Sequence, residues 1–102
     1  GKVGEDVSEE EAARLARTAT LNGLAAIDAL VGIDKVTRVL KIVGYVASAP
    51  GFSAQPAVVN GASNLMGEIF GEAGEHARSA VGVAELPLGA PVEVELIVEV
   101  AD

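Results

Sequence analysis

The chain has no cysteine and a single histidine, His76. Without thiols there is no disulfide framework, no cysteine nucleophile and no thiolate metal site, and one imidazole rules out a multi-histidine metal centre within one chain. Tryptophan is also absent, and only Tyr45, Phe52 and Phe70 are aromatic. The core must be filled by Ala, Val, Leu and Ile, each burying modest area, so a domain of 102 residues gains by burying further surface in an oligomer. Positive charge is scarce: 7 Lys and Arg stand against 15 Asp and Glu, for a net −8. With no basic cluster, DNA and RNA are disfavoured as partners. No apolar run is long enough to span a bilayer and no secretory signal pattern opens the chain, so a cytoplasmic protein with no membrane partner is expected.

What is present reads as alternating helix and strand. Ser8-Glu-Glu-Glu11 forms a capping box, in which the Ser8 hydroxyl accepts from the Glu11 amide and the Glu11 carboxylate reaches back. Apolar positions then recur at three-four spacing from about Glu9 to Leu30, with Glu10 and Arg14 as an outward i,i+4 pair and Gly32 as the stop. Val36 to Ala47 is β-branched and apolar on both faces, as a strand inside a sheet must be. Ser48-Ala-Pro-Gly-Phe52 is a turn. Pro56 opens a second helix that ends near Phe70 at Gly71. Within it, Asn60-Gly61 is a weak spot, costing ~1 kcal/mol at the glycine alone, which calls for a packing or functional reason. Ala77 to Glu85 and Val92 to Val100 read as two strands of a β-hairpin joined by Leu86-Pro-Leu-Gly-Ala-Pro91, the second with strict period-two alternation. The order helix, strand, helix, strand, strand predicts one α+β domain over residues 1–102, with two helices on one face of a mostly antiparallel sheet.

The chemistry centres on Arg78, a lone arginine followed at two-residue steps by Ala80 and Gly82. A guanidinium with open space beside it is the simplest holder of a small carboxylate. In a hairpin centred near Leu88 and Gly89, Arg78, Ala80, Gly82 and Ala84 share a face with Glu93, Glu95, Ile97 and Glu99, while the valines pack under the helices. That face is either washed by solvent, with a cross-strand pair such as Arg78 and Glu99, or it is the wall of an inter-subunit cavity. Glu93 then lies roughly 20 Å along the strand from Arg78, so both can act on one small molecule only across a subunit boundary. His76 has no visible Asp partner and reads as a surface or interface residue. Ser79 has no neighbouring base and no Gly-x-Ser-x-Gly elbow is present, which disfavours nucleophilic serine catalysis. Gly71-Glu-Ala-Gly74 reads as a helix stop and turn, not a phosphate loop.

Asn60-Gly-Ala-Ser, Phe70-Gly-Glu-Ala-Gly-Glu-His-Ala-Arg-Ser-Ala-Val-Gly-Val, Leu86-Pro-Leu-Gly and Val92-Glu-Val-Glu resemble the RidA family (YjgF/YER057c/UK114), and within it the branch with the Arg-Ser-Ala-Val-Gly signature. Asp34-Lys-Val-Thr-Arg-Val and Ser48-Ala-Pro-Gly-Phe extend the likeness over essentially the whole chain. The resemblance implies a chorismate-mutase-like α+β fold and a homotrimer with ligand clefts between subunits. It also implies cofactor-free hydrolysis of reactive imines and enamines, such as 2-aminoacrylate, to 2-keto acids and ammonia. By motif position Arg78 matches the carboxylate-binding arginine, Glu93 the acid that holds or activates water, and Asn60 a cleft-lining asparagine; Ser79 and Ala80 fall at substrate-binding positions beside the arginine. Two positions depart from well-studied members: Ala80 replaces Cys and His76 replaces Pro. The family's opening strand pair, with its Ser-Gly-Gln motif, has no counterpart before Gly1. Two other functions stay open: a non-catalytic trimeric module that binds small carboxylates, and an endoribonuclease or translation inhibitor, against which the −8 charge argues.

Overall fold

A computed structural model describes all residues from Gly1 to Asp102. Helix α1 spans Glu9–Val31 and begins as its sequence demands: the Ser8 hydroxyl accepts from the Glu11 amide, and three acids follow in the first turn where the helix dipole favours negative charge. Only half of the capping box closes. The Glu11 carboxylate turns outward to Arg14 instead, so the ion pair on this face is i,i+3 from Glu11 and not i,i+4 from Glu10. Strand β1 follows at Val36–Ala47, helix α2 at Gln55–Phe70, strand β2 at Ala77–Val83 and strand β3 at Val92–Val100.

The sheet order is β2-β1-β3, with β1 parallel to β2 and antiparallel to β3. The expected hairpin therefore does not form, and the sheet is mixed. The reason lies in β1, which is apolar on both faces and takes the centre. After β1 the chain crosses over through α2 and returns parallel on one side, as a strand-helix-strand unit does. Residues 84–91 then carry it past the end of β1 to the opposite side. Two backbone bonds mark that passage: the Ala47 amide donates to the Pro91 carbonyl at 2.9 Å and the Ser48 amide to the Val83 carbonyl at 3.0 Å.

Both helices cover one face of the sheet. Val39, Ile42 and Val46 of β1 are fully buried there with Val58 and Met66 of α2 and Ala12 of α1. Val92, Val94, Leu96 and Val98 pack partly buried against the same cluster, as their alternation predicts. Small residues set the spacing. A Cβ on Gly61 would lie 2.1 Å from the Ala13 carbonyl oxygen of α1, so the two helices meet backbone to backbone at this point. That contact is the packing reason for the Asn60-Gly61 interruption. On the sheet, a Cβ on Gly44 would lie 2.3 Å from a Val59 methyl, so α2 sits directly on β1.

The opposite face of the sheet has no helix over it. Tyr45 of β1, Val81 of β2 and Glu93, Glu95 and Ile97 of β3 project there, with Val81 and Ile97 left 41% and 47% exposed. The outer edges of β2 and β3 carry no strand partner.

Candidate functional site

Residue parity decides which way each site residue points. Arg78 pairs with Ile42, Ala80 with Gly44 and Gly82 with Val46, and all three of those β1 residues face the helices. Arg78, Ala80 and Gly82 therefore face α2. Because β2 is an edge strand, the long arginine side chain reaches past the sheet margin to the exposed flank of α2. There Nη1 donates to Asn60 Oδ1 at 2.6 Å and to Ser63 Oγ at 3.4 Å. Asn60 and Ser63 are three residues apart and so lie on one helical face.

Asn60 holds one branch of the guanidinium, and the other remains available. No hydrogen bond within the chain occupies Nε or Nη2 of Arg78, and its charge has no acidic partner: the ion pairs are Lys2–Glu85, Arg14–Glu11 and Arg17–Glu68. Nε and Nη2 form the flat two-donor edge that matches a carboxylate. A fork already fixed at Nη1 loses less freedom when that edge is engaged. The nearest acid farther along α2 is spoken for, since Arg17 hydrogen-bonds Glu68 and adds its charge, which together hold the Glu68 carboxyl below the usual carboxylate range.

His76 sits behind this constellation with both ring nitrogens engaged. Nδ1 lies 2.6 Å from the Gly74 carbonyl oxygen, which can only accept, so Nδ1 carries the proton. Nε2 of the neutral ring then accepts from the Ser63 hydroxyl at 2.9 Å. Ser63 offers its lone pairs toward Arg78 Nη1 while its proton goes to the imidazole. The continuous line is Gly74 carbonyl, His76, Ser63, Arg78. His76 has no acidic partner, as its sequence suggested, but both of its ring nitrogens are engaged; Ser63, although part of the Asn60-Gly-Ala-Ser motif, was not singled out as a site residue. One signal for Ser63 was available: its three-residue step from Asn60 on a helix that leads directly into the arginine strand.

The remaining expected residues fall elsewhere. Glu93 pairs with Tyr45 and Glu95 with Val43, on the face turned away from the helices. Arg78 and Glu93 accordingly do not share a face, as the hairpin register had implied, but lie on opposite faces. They are also offset by three positions along β1 (about 10 Å) and separated by two strand spacings (about 10 Å). Ser79 pairs with Val43 and projects to the Glu93 face, away from the guanidinium; Ala80 stays beside Arg78 on the helix side, against the core. The Arg78 and Glu99 pair does not form, because β1 lies between their strands; Glu99 instead accepts from the Thr37 hydroxyl at 2.7 Å. No three His, Asp or Glu side chains converge to hold a metal ion. One surface cleft of about 240 Å³ opens between Lys2, Asp6 and Glu85 and shares no residue with the Arg78 constellation.

The model of the family described as endoribonuclease L-PSP matches residues 1–100. The chain belongs to this family, which is that of RidA. Among L-PSP relatives, Protein TCP17 of Trypanosoma cruzi is 45% identical over 101 residues, covering 97% of this chain and 63% of that protein. The crystal structure of Atu1372 from Agrobacterium tumefaciens, a protein of unknown function, is 46% identical and superposes with a TM-score of 0.97 over 100% of this chain and 66% of its own. A candidate endoribonuclease of Shewanella oneidensis MR-1 gives a TM-score of 0.94 at 31% identity, covering 98% of this chain and 67% of its own. The chain therefore spans just under two thirds of the length of Protein TCP17 and of Atu1372. Its two helices on a three-stranded mixed sheet are the L-PSP, chorismate-mutase-like fold. No helix is long and apolar enough to cross a membrane.

Proposed function

We propose that the protein hydrolyses small imines or enamines that carry a carboxylate, of the 2-aminoacrylate type, to a 2-keto acid and ammonia. The observation that carries this reading is Arg78: a guanidinium fixed on one side by Asn60, with its Nε–Nη2 edge free and no acid in the chain to neutralise it. The carboxylate of the substrate docks on that edge, which leaves the electrophilic carbon one bond away. Glu93 is the acid assigned to hold the attacking water, and because it lies on the opposite face of the sheet it must come from a second copy of the chain. The uncovered face, with Val81 and Ile97 exposed, and the unpaired edges of β2 and β3 support assembly into an oligomer, which we take to be a homotrimer.

The test uses the natural full-length protein and an imine generated in place by an amino-acid oxidase. Keto-acid release is expected to accelerate with the wild type and to return to the background rate with Arg78→Ala. A wild type that gives no acceleration refutes the reading.

Endoribonuclease activity is the second reading, favoured only by the family's description. The net charge of −8 disfavours a phosphate backbone as ligand. Ribonuclease activity that co-purifies through every step and is lost with Arg78→Ala would favour it.

A further inference from the structure

Ser63 and His76 lie on the Nη1 side of Arg78, away from the Nε–Nη2 edge, so neither touches a carboxylate held there. They do bear on how that edge is aimed. We propose that Ser63 and His76 are positioning residues: together with Asn60 they lock the plane of the Arg78 guanidinium, and so fix which face of a bound imine meets the attacking water. The inference rests on the assignment of Arg78 as the carboxylate holder.

The hydrogen bonds that a guanidinium donates lie close to the plane of the group. A single acceptor leaves that plane free to swivel about the nitrogen–oxygen line. Nη1 has two acceptors, Asn60 Oδ1 at 2.6 Å and Ser63 Oγ at 3.4 Å, and both stand on one face of α2. The second contact is the longer and weaker, and what it adds is direction: two oxygens and the nitrogen between them define a plane. A carboxylate paired side-on with Nε and Nη2 lies in the same plane. In an imine of the 2-aminoacrylate type the C=N bond is conjugated with the carboxylate, so the reacting carbon shares that plane. Attack on C=N comes from above or below it. A guanidinium that swivels therefore turns the reacting face away from the water, although the carboxylate stays bound.

His76 holds Ser63 in this role. The hydroxyl of a serine or threonine inside a helix ordinarily turns back onto the carbonyl four residues before it. The threonines of α1 do so: Thr18 donates to the Arg14 carbonyl at 3.2 Å and Thr20 to the Ala16 carbonyl at 2.8 Å. Ser63 does not. Its hydroxyl reaches out of α2 to His76 Nε2 at 2.9 Å, which keeps Oγ turned toward β2 and its lone pairs toward Nη1. Nε2 can accept there because the Gly74 carbonyl, 2.6 Å from Nδ1, takes the proton of the other ring nitrogen. Gly74 is in turn set by packing, since a Cβ on it would lie 2.3 Å from the Met66 carbonyl oxygen of α2. The backbone of α2 thus fixes Gly74, Gly74 fixes the ring, and the ring fixes the serine that faces Nη1.

The experiment compares the full-length wild type with Ser63→Ala, Ser63→Thr, His76→Phe and Arg78→Ala. Three readouts are taken: kcat and KM for imine hydrolysis, affinity for pyruvate as the keto-acid probe, and the Nη proton resonances of Arg78 by NMR, assigned by their loss in Arg78→Ala. The wild type is expected to show separate Nη1 proton resonances, because the group cannot turn. Ser63→Ala and His76→Phe should merge them, lower kcat about tenfold through lost orientation, and leave KM and pyruvate affinity within about twofold. Ser63→Thr, which keeps the hydroxyl, should restore both kcat and the separate resonances. Retained pyruvate binding shows that a variant is folded, and Ser63→Ala, which removes a single oxygen, carries the test by itself where His76→Phe does not fold. Arg78→Ala should abolish pyruvate binding. An unchanged kcat in Ser63→Ala, whatever its KM, overturns the positioning role and leaves the role of Arg78 standing. A wild type without imine turnover overturns both.

Discussion

Replacing Gly61 by alanine tests the packing that places the site. In an exposed helix interior the change would stabilise by about 1 kcal/mol, because glycine loses the most backbone freedom on folding. At Gly61 the added Cβ would lie 2.1 Å from the Ala13 carbonyl oxygen and 2.9 Å from its carbon. Both are backbone atoms within α1, so neither can swing aside as the end of a side chain could. To restore an ordinary contact the helices must separate by about 1 Å, a gap that forfeits a quarter to a half of the dispersion energy of contacts along the seam. Buried Ala12, Ala16, Ala62 and Leu65 lie along it. Overpacking of this kind costs about 1–3 kcal/mol, and an immovable backbone oxygen places Gly61 at the upper end. The net expectation is a loss of about 2 kcal/mol, or a fall in Tm of about 10 °C for a domain of this size. Gly67→Ala is the internal control, since it lies in the same helix with nothing within 4 Å of its Cβ position, and it should gain roughly the propensity term. Thermal and urea unfolding at one fixed protein concentration reads both, because assembly adds to apparent stability. If Gly61→Ala melts at or above the wild type, the close approach of α1 and α2 is wrong. The placement of Asn60 and Ser63, which flank that glycine, is then wrong with it.

Arg78→Lys keeps the positive charge but loses the two-donor edge. Pyruvate affinity is expected to fall tenfold or more, since charge-assisted hydrogen bonds contribute about 1.5–3 kcal/mol; unchanged affinity would mean that charge alone matters. Arg17→Gln removes the hydrogen bond and the charge that hold the Glu68 carboxyl down, so its titration followed by NMR should move up toward the usual carboxylate range. Because the folded-state pKa of Glu68 is depressed, the pair stabilises the fold above the unfolded carboxylate value. That contribution is lost as pH falls through the folded value. An unmoved Glu68 in Arg17→Gln refutes the coupling.

The elements were legible in the sequence because each rests on local signals. The cap at Ser8, the proline at the start of α2, the stop at Gly71 and the alternation of Val92 to Val100 all depend on nearby residues. Strand pairing was not legible, because alternation records which side of a strand is buried but not which strand lies beside it. Sequence adjacency suggested that β2 and β3 pair; a centre strand as apolar as β1 separates them. From that one error followed the wrong face for Arg78. The valines of β3 were placed correctly under the helices, but β2 is oriented by β1, with Arg78 opposite buried Ile42. Arg78 and Asn60, both named from the motif resemblance, are hydrogen-bonded, whereas the pairing of Ser63 with His76 was missed because their bond spans 13 residues across a turn that no periodicity describes.

Opposite faces make a stronger demand than distance does. Two residues on one face of a sheet can be bridged by a larger ligand or a small shift of a strand. Two residues on opposite faces cannot, because the sheet itself lies between them. If Arg78 and Glu93 both serve one reaction, every site must therefore be assembled from two copies of the chain, each giving one face. The consequence is complementation. Arg78→Ala and Glu93→Ala proteins should each be inactive alone. Unfolded together and refolded as mixed oligomers, they should regain activity, since some interfaces then pair an intact Arg78 from one copy with an intact Glu93 from the next. With equal and random mixing about a quarter of the sites are whole, whatever the size of the closed ring. Recovery near that fraction, measured by imine hydrolysis and absent when the two proteins are mixed without refolding, fits a site shared between copies. No recovery in oligomers shown by mass to be mixed means that Glu93 has no part in the chemistry at Arg78.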